Sequence, residues 1–292
     1  MLYALRGGAK CAKFIPRKVG HRVVWACGYL YGRLPTRLHK KLIVIHKRIS
    51  PWMTESQAKR RAALVVASYS RYWWDVFWLS SPRTKKEIDA IVSVEGFDVG
   101  IGTIEDAKAR GVGAIFALPH IGSWEVGGAW IAHQGFPPVV VVERLKPPEL
   151  FELFKSTRES AGMTIIPHDE HPTGKLLAAL KGGDVISLVS DRDINRKGIP
   201  ITFFGDVKTF PAGAAALSLK TSAPIIPVCT YFNHDCTVTI SFGDPITAEP
   251  IDNENKEEQV RAVVENIVRQ FEQMIERDPT QWHVLHDEWE KE

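Results

Sequence analysis

Acidic residues are missing from the first 54 positions: the earliest is Glu55, while the same stretch carries twelve Lys and Arg between Arg6 and Arg48. The rest of the chain holds 25 basic against 34 acidic residues, so a net charge of +3 conceals a strongly basic segment on an acidic body. That asymmetry points to a polyanionic partner. Long apolar runs are also missing from the basic segment. Its longest uncharged apolar stretch, 23–32, lies between Arg22 and Arg33 and falls well short of the roughly 20 residues a spanning helix needs. No continuous apolar region leads to a small-residue cleavage site, which argues against a secretory signal. Cysteine is scarce, and Cys11, Cys27, Cys229 and Cys236 form neither a CxxC pair nor a zinc spacing. They are expected to be buried or incidental thiols in a reducing, cytoplasmic compartment. Finally, no G-x-S-x-G elbow occurs, so an acyl-serine route lacks its usual signature.

What stands between the basic residues separates two polyanions, nucleic acid and an anionic bilayer. Tyr3, Leu5, Phe14, Val23, Val24, Trp25, Tyr29, Leu30 and Tyr31 alternate with the cations, as in helices that lie in a headgroup layer while Lys and Arg snorkel outward. The expected partner is therefore an anionic membrane surface and not nucleic acid, with the protein peripheral to the membrane. An ordinary amphipathic helix pair with a solvated basic face is the competing reading. At 292 residues and 45% hydrophobic content, the chain can bury a substantial core. Its organisation is expected to be a basic, membrane-associating arm over 1–54 followed by one domain over 55–292.

Thr54 and Gln57 have capping-box spacing ahead of a helix that runs through Leu64 and Val65 into Tyr69, Tyr72, Trp73, Trp74, Phe77 and Trp78. Those aromatics occupy too much of the circumference for one core-facing stripe, so some are expected to meet another element, lipid or an acyl chain. Beyond them, apolar runs at 114–118, 139–142, 163–166, 185–189, 225–228 and 238–242 predict strands. Helical patterns at 124–133, 148–160, 174–180 and 211–220 alternate with them, Gly162 and Gly182 closing two of these helices. A charged helix over about 254–277 ends the pattern. The alternation predicts an α/β fold: a central mostly parallel or mixed sheet with helices on both faces, preceded by N-terminal amphipathic helices.

The stretch of greatest chemical content is Leu118-Pro-His-Ile-Gly-Ser-Trp-Glu125, where a buried strand ends, the chain turns at Pro119 and a helix begins near Ser123. In α/β sheets, ligands gather at the carboxyl ends of strands. A histidine there, oriented by a carboxylate, can activate a hydroxyl for attack on a carbonyl carbon. If His120 sits in the turn, Glu125 on the first helical turns is expected to reach back to its ring. The competing reading is a structural His–carboxylate pair, since H-x4-E is weak by itself. Glu143, Arg144, Arg158, Asp191 and Arg192 also fall at element ends; they either gather around the same crevice, the arginines holding phosphates, or form surface ion pairs. His120, His133, His168 and His171 match no standard zinc motif, and no metal or cofactor is predicted.

The ordered set Tyr69-Ser-Arg-Tyr-Trp73, His120-Ile-Gly-Ser-Trp-Glu125, Val142-Glu-Arg-Leu-Lys-Pro147, Arg158-Glu-Ser-Ala-Gly162, Asp191-Arg-Asp193, Phe203-Phe-Gly-Asp206, Phe210-Pro-Ala-Gly213, Pro224-Ile-Ile-Pro-Val228 and Pro279-Thr-Gln-Trp282 resembles the lysophospholipid and lipid A acyltransferase superfamily, whose block is H-x4-D/E. Within it, the set is most like the actinobacterial phosphatidylinositol mannoside acyltransferases. The resemblance implies transfer of a long acyl chain, typically palmitoyl, from acyl-CoA to a mannose hydroxyl of a phosphatidylinositol mannoside at the cytoplasmic face of the plasma membrane. It implies His120 as base with Glu125 as its partner, and a polar network of Glu143, Arg158 and Asp191, Asp191 being a candidate contact of His120. Glu125 replaces the commoner Asp, and Asp191 stands where relatives tend to carry Glu. A carrier-protein donor with a lipid A type acceptor, and a non-catalytic membrane adaptor, are the alternatives.

Overall fold

Thr54 caps the longest helix as its spacing predicts: its side chain accepts from Gln57 N–H while the Gln57 side chain takes the Thr54 N–H. A computed structural model describes residues 7, 12, 14–81, 84–194, 196–248, 255–286 and 289; Cys11 and the start of the basic segment lie outside them. Ahead of Thr54 come helices α1 (Arg17–Gly32) and α2 (Arg37–Ile49); from it runs α3 (Glu55–Leu79). Then follow α4 (Thr84–Ile91), β1 (Val92–Glu95), α5 (Phe97–Ala109), β2 (Ala114–Leu118), α6 (Trp124–His133), β3 (Val139–Val142), α7 (Pro148–Ser160) and β4 (Thr164–Pro167). The remainder is α8 (Thr173–Lys181), β5 (Val185–Val189), β6 (Ile199–Phe203), β7 (Asp206–Phe210), α9 (Gly213–Thr221), β8 (Ile225–Phe232), β9 (Val238–Phe242) and α10 (Lys256–Arg277).

Seven strands form one sheet in the order β1-β9-β8-β2-β5-β3-β4, parallel except where β8 meets β9. Side chains alternate across it, as the two-residue period of a strand requires. Ile115, Ala117, Ile186, Ile225 and Cys229 face α8, α9 and α10, whereas Phe116, Val185, Val228, Ile240 and Phe242 face α3, α5, α6 and α7. Two expectations shift in detail. The hairpin β6–β7, turned by Phe204 and Gly205 at positive φ, adds a second, two-stranded sheet that hydrophobic periodicity did not mark. The turn after α8 takes its left-handed residue at Gly183, not Gly182, while Gly162 has φ +95° as expected of a helix-terminating glycine.

The basic segment is no detached arm. Gly20, Gly28 and Gly32 let α1 lie directly on α3: a Cβ at Gly20 would fall 1.9 Å from the Trp74 ring, and one at Gly32 would fall 2.8 Å from Ala63 Cα. Arg17 binds both oxygens of the fully buried Asp75 at 2.8 and 2.9 Å, His21 joins the same carboxylate at 2.6 Å, and Arg71 donates to the other nitrogen of His21. Burial by itself would raise the Asp75 carboxyl; Arg17 and His21 more than offset this and hold it well below the usual range. Ile45 and Ile49 of α2 belong to the same buried core as the apolar residues of α8, α9 and α10. Among the described residues no helix is long and apolar enough to cross a membrane.

Candidate active site

His120 stands just past β2, held by the backbone around it. Gly122 has φ +62°, and a Cβ there would lie 2.0 Å from the Thr230 carbonyl oxygen, so only glycine lets this turn press against β8. On its other side the turn is clipped to the segment after α10: His283 N–H donates to His120 O at 2.7 Å and Gly122 N–H to Gln281 O at 3.0 Å. The ring is thereby fixed at the carboxyl edge of the sheet.

The orienting carboxylate is Asp191, which follows β5, and not Glu125. Asp191 Oδ1 lies 2.5 Å from His120 Nδ1, while Oδ2 accepts from His120 N–H and from Trp282 Nε1, both at 2.8 Å. The buried Lys208 of β7 donates to the Asp191 carbonyl at 2.5 Å, which pins the residue's backbone as well. Burial pushes the Asp191 carboxyl upward, but His120 beside it and the Trp282 donor more than reverse this and hold it at about 2. It is therefore an anion at neutral pH, suited to stabilise an imidazolium. His120 Nε2 has no protein partner among the described residues, and the ring faces a large cavity.

Glu125 is turned away from His120 by helix geometry. On the first turn of α6 its carboxylate is gripped by Arg158 from α7, Nε to Oε2 at 2.9 Å and Nη2 to Oε1 at 2.5 Å, and it accepts from Tyr72 OH at 3.0 Å. Burial opposes a charged Arg158, yet Glu125 more than offsets this and raises its pKa, so the guanidinium stays charged. Tyr72 is in turn stacked on Trp124 at 4.1 Å, and Trp124 meets the His120 ring edge-on at 5.2 Å. The H-x4-E block thus contributes one residue to the His120–Asp191 pair and the other to the wall of the site. Glu143 and Arg192 line the cavity. Arg144 does not: it is exposed, paired with Asp169 at 2.9 Å and Glu170 at 3.3 Å, and lies over Phe151. His133 likewise pairs with Asp89 at the surface.

The cavity measures about 720 Å³. Tyr69, Tyr72 and Trp73 of the crowded aromatic helix line it, which answers where that helix's surplus rings go; Trp74 and Trp78 are core. β3 and β5 are paired only at Val139↔Ile186 and Val140↔Ser187. Past those pairs, Val141, Val142, Leu188 and Val189 line the space, so the cavity reaches both faces of the sheet. On the α3, α6 and α7 side the lining is largely apolar apart from the Glu125–Arg158 pair and Tyr72; His168, Thr173 and Lys220 also line the cavity. Sequence reasoning did not single out Tyr72, Lys208 or His283 as site residues. His283 is buried beside the base with Nε2 2.9 Å from Ser68 Oγ and no partner on Nδ1. Burial, then the nearby His120, pushes it down to about 3, so it is neutral.

A histidine with a buried anionic partner, set at the strand ends above a large, mainly apolar cavity, is an arrangement suited to activating a hydroxyl. Comparison with known proteins agrees: residues 3–291 match the family of bacterial lipid A biosynthesis acyltransferases, to which this chain belongs. It is an acyltransferase of that family. Over 236 residues it is 31% identical to the phosphatidylinositol mannoside acyltransferase of Mycobacterium tuberculosis, covering 76% of this chain and 68% of that one. It is 33% identical over 235 residues to the enzyme of the same name from Mycolicibacterium smegmatis, covering 78% and 71%.

Proposed function

We propose that the protein transfers a long-chain acyl group, of about palmitoyl length, from acyl-CoA to a mannose hydroxyl of a phosphatidylinositol mannoside, working at the cytoplasmic surface of the plasma membrane. The observation that carries this is the His120–Asp191 pair opening onto an apolar cavity. Three lesser ones support it: the names of the relatives, the cationic rim of Arg192 and Lys220 suited to phosphates, and the exposed apolar and basic residues of α1 and its flanks. Nε2 of His120 takes the proton of the hydroxyl as its oxygen bonds to the thioester carbonyl. Asp191 stabilises the resulting imidazolium. Collapse of the tetrahedral intermediate breaks the C–S bond, and the imidazolium returns its proton to the leaving thiolate. No covalent acyl-enzyme forms.

The test is transfer from radiolabelled palmitoyl-CoA, and in parallel from palmitoyl carrier protein, to phosphatidylinositol mono- and dimannoside by wild type and His120→Ala. Loss of product in the variant is expected. Comparable product from both proteins would overturn the assignment of the base. Thioester cleavage by wild type without mannoside acylation would move the acceptor to another glycolipid.

A further inference from the structure

The apolar side of the cavity follows the strands, and their register measures it. His120 lies six residues beyond Ala114; β2 pairs Ala114 with Val185, and the β3–β4 and β3–β5 ladders place Pro138 and Met163 level with that end. Both Pro138 and Met163 line the cavity. Six residues at ~3.3 Å each span roughly 20 Å of strand between the level of His120 and that of the Met163 backbone, against ~1.25 Å per methylene for an extended chain built from ~1.5 Å C–C bonds. The side walls are stiff. Phe116 and Phe242 stand edge to tilted face, 5.9 Å apart, and both are anchored in the core.

The end level with Ala114 is different. Met163 is buried, unbranched and flexible, and the terminal atoms of its side chain occupy a notch left by a missing side chain: a Cβ at Gly128 would meet Met163 Cε at 2.8 Å and Sδ at 3.1 Å. Gly128 is in the middle of α6, at ordinary helical φ, so no backbone constraint demands glycine. A glycine in a helix interior is unfavourable relative to alanine, and here what its absence of a side chain provides is room for Met163. Resting on the acyl-transfer reading above, the geometry points to Met163, seated against Gly128, as the stop that sets how long an acyl chain the tunnel accepts. Removing the thioether deepens the tunnel. Filling the notch drives the thioether inward and shortens it.

The experiment compares wild type, Met163→Ala, Gly128→Ala and Gly128→Leu across acyl-CoA donors of ten to twenty carbons, by transfer rate and by the rise in Tm that each donor produces without acceptor. Since each methylene that loses its berth costs about fourfold, a two-carbon displacement of the optimum changes the ratio of neighbouring even-chain donors on the order of tenfold. Met163→Ala is expected to move the optimum to longer chains, Gly128→Leu to shorter ones and Gly128→Ala to shorter ones by less. Variants that melt cooperatively and keep the wild-type chain-length profile in both readouts would overturn the stop. Wild type that neither transfers from nor is stabilised by any donor would instead sink the acyl-transfer reading on which it rests. Gly128→Ala, which improves helix propensity, keeps the comparison open should either larger change impair folding.

Discussion

Asp191 and Glu125 are two buried carboxylates with opposite duties, and substitution separates them. Asp191→Asn keeps the shape but removes the charge facing the imidazolium, so kcat is expected to fall by ~10²–10⁴-fold with little change in Tm. Glu125→Ala leaves Arg158 buried without its counter-ion, and the expected loss is about 3–5 kcal/mol of stability, read by urea denaturation and largely recovered in Glu125→Leu/Arg158→Met. A Glu125→Ala protein as stable as wild type would remove the structural role assigned to the pair. The third residue-scale prediction concerns His46, whose two ring nitrogens are buried without partners. Burial, with the charge of Arg61 behind it, pushes this ring from 6.5 down to about 3. A depressed base stays neutral in the fold, so as pH falls from 6.5 towards 3 the unfolded chain takes up a proton that the folded ring refuses, and stability declines through that window. At pH 5 the loss is about 2 kcal/mol from this ring, and His46→Leu should flatten the dependence of urea midpoint on pH; an unchanged slope would assign it to other groups.

Among the elements, those with strong periodicity were legible in the sequence. Helices α6 and α7 begin and end where the pattern placed them, and β2, β3, β5 and β9 match as well, because each is a buried apolar run bounded by Gly, Pro or a charge. What could not be read was partnership across distance. His120 and Glu125 are five apart in sequence, and the local link was the natural expectation; the true partner is 71 residues away, brought alongside because β2 and β5 are paired in the sheet. The resemblance did name Asp191 as a candidate contact, but spacing alone carried no sign of it. The docking of α1 was equally hidden, since glycines at 20, 28 and 32 read as poor helix formers until the helix beneath them is known. That docking makes its own prediction. Gly20→Leu, which cannot coexist with Trp74 in its present position, should release α1 to limited proteolysis at Arg22 while α3 stays protected; equal protection of both helices would contradict the packing.

At the scale of the molecule, the surface around α1 gathers Phe14 (78% exposed), Leu30 (65%) and Tyr31, with Lys18, Arg22 and Arg33 exposed nearby. Because α1 and α2 are built into the core, deleting them would not leave an intact body to compare; surface substitution is the fair test. Phe14→Ser/Leu30→Ser/Tyr31→Ser should keep the wild-type Tm and weaken binding to anionic vesicles on the order of a hundredfold, and added salt should weaken the wild type further. Undiminished binding would send the search for a membrane face elsewhere. The buried cluster around Asp75 also sets an order of events. Arg17 is bonded to the carbonyl of Cys236, 219 residues downstream, and Arg71 to that of Asn233. At a synthesis rate of ~5–20 residues per second, the first helix leaves the ribosome roughly 10–40 s before its last partners exist. For that interval α1 has α3 to lie against but Arg17 and Arg71 lack their carbonyl partners, so the buried cluster around Asp75 closes only when the far end of the sheet arrives.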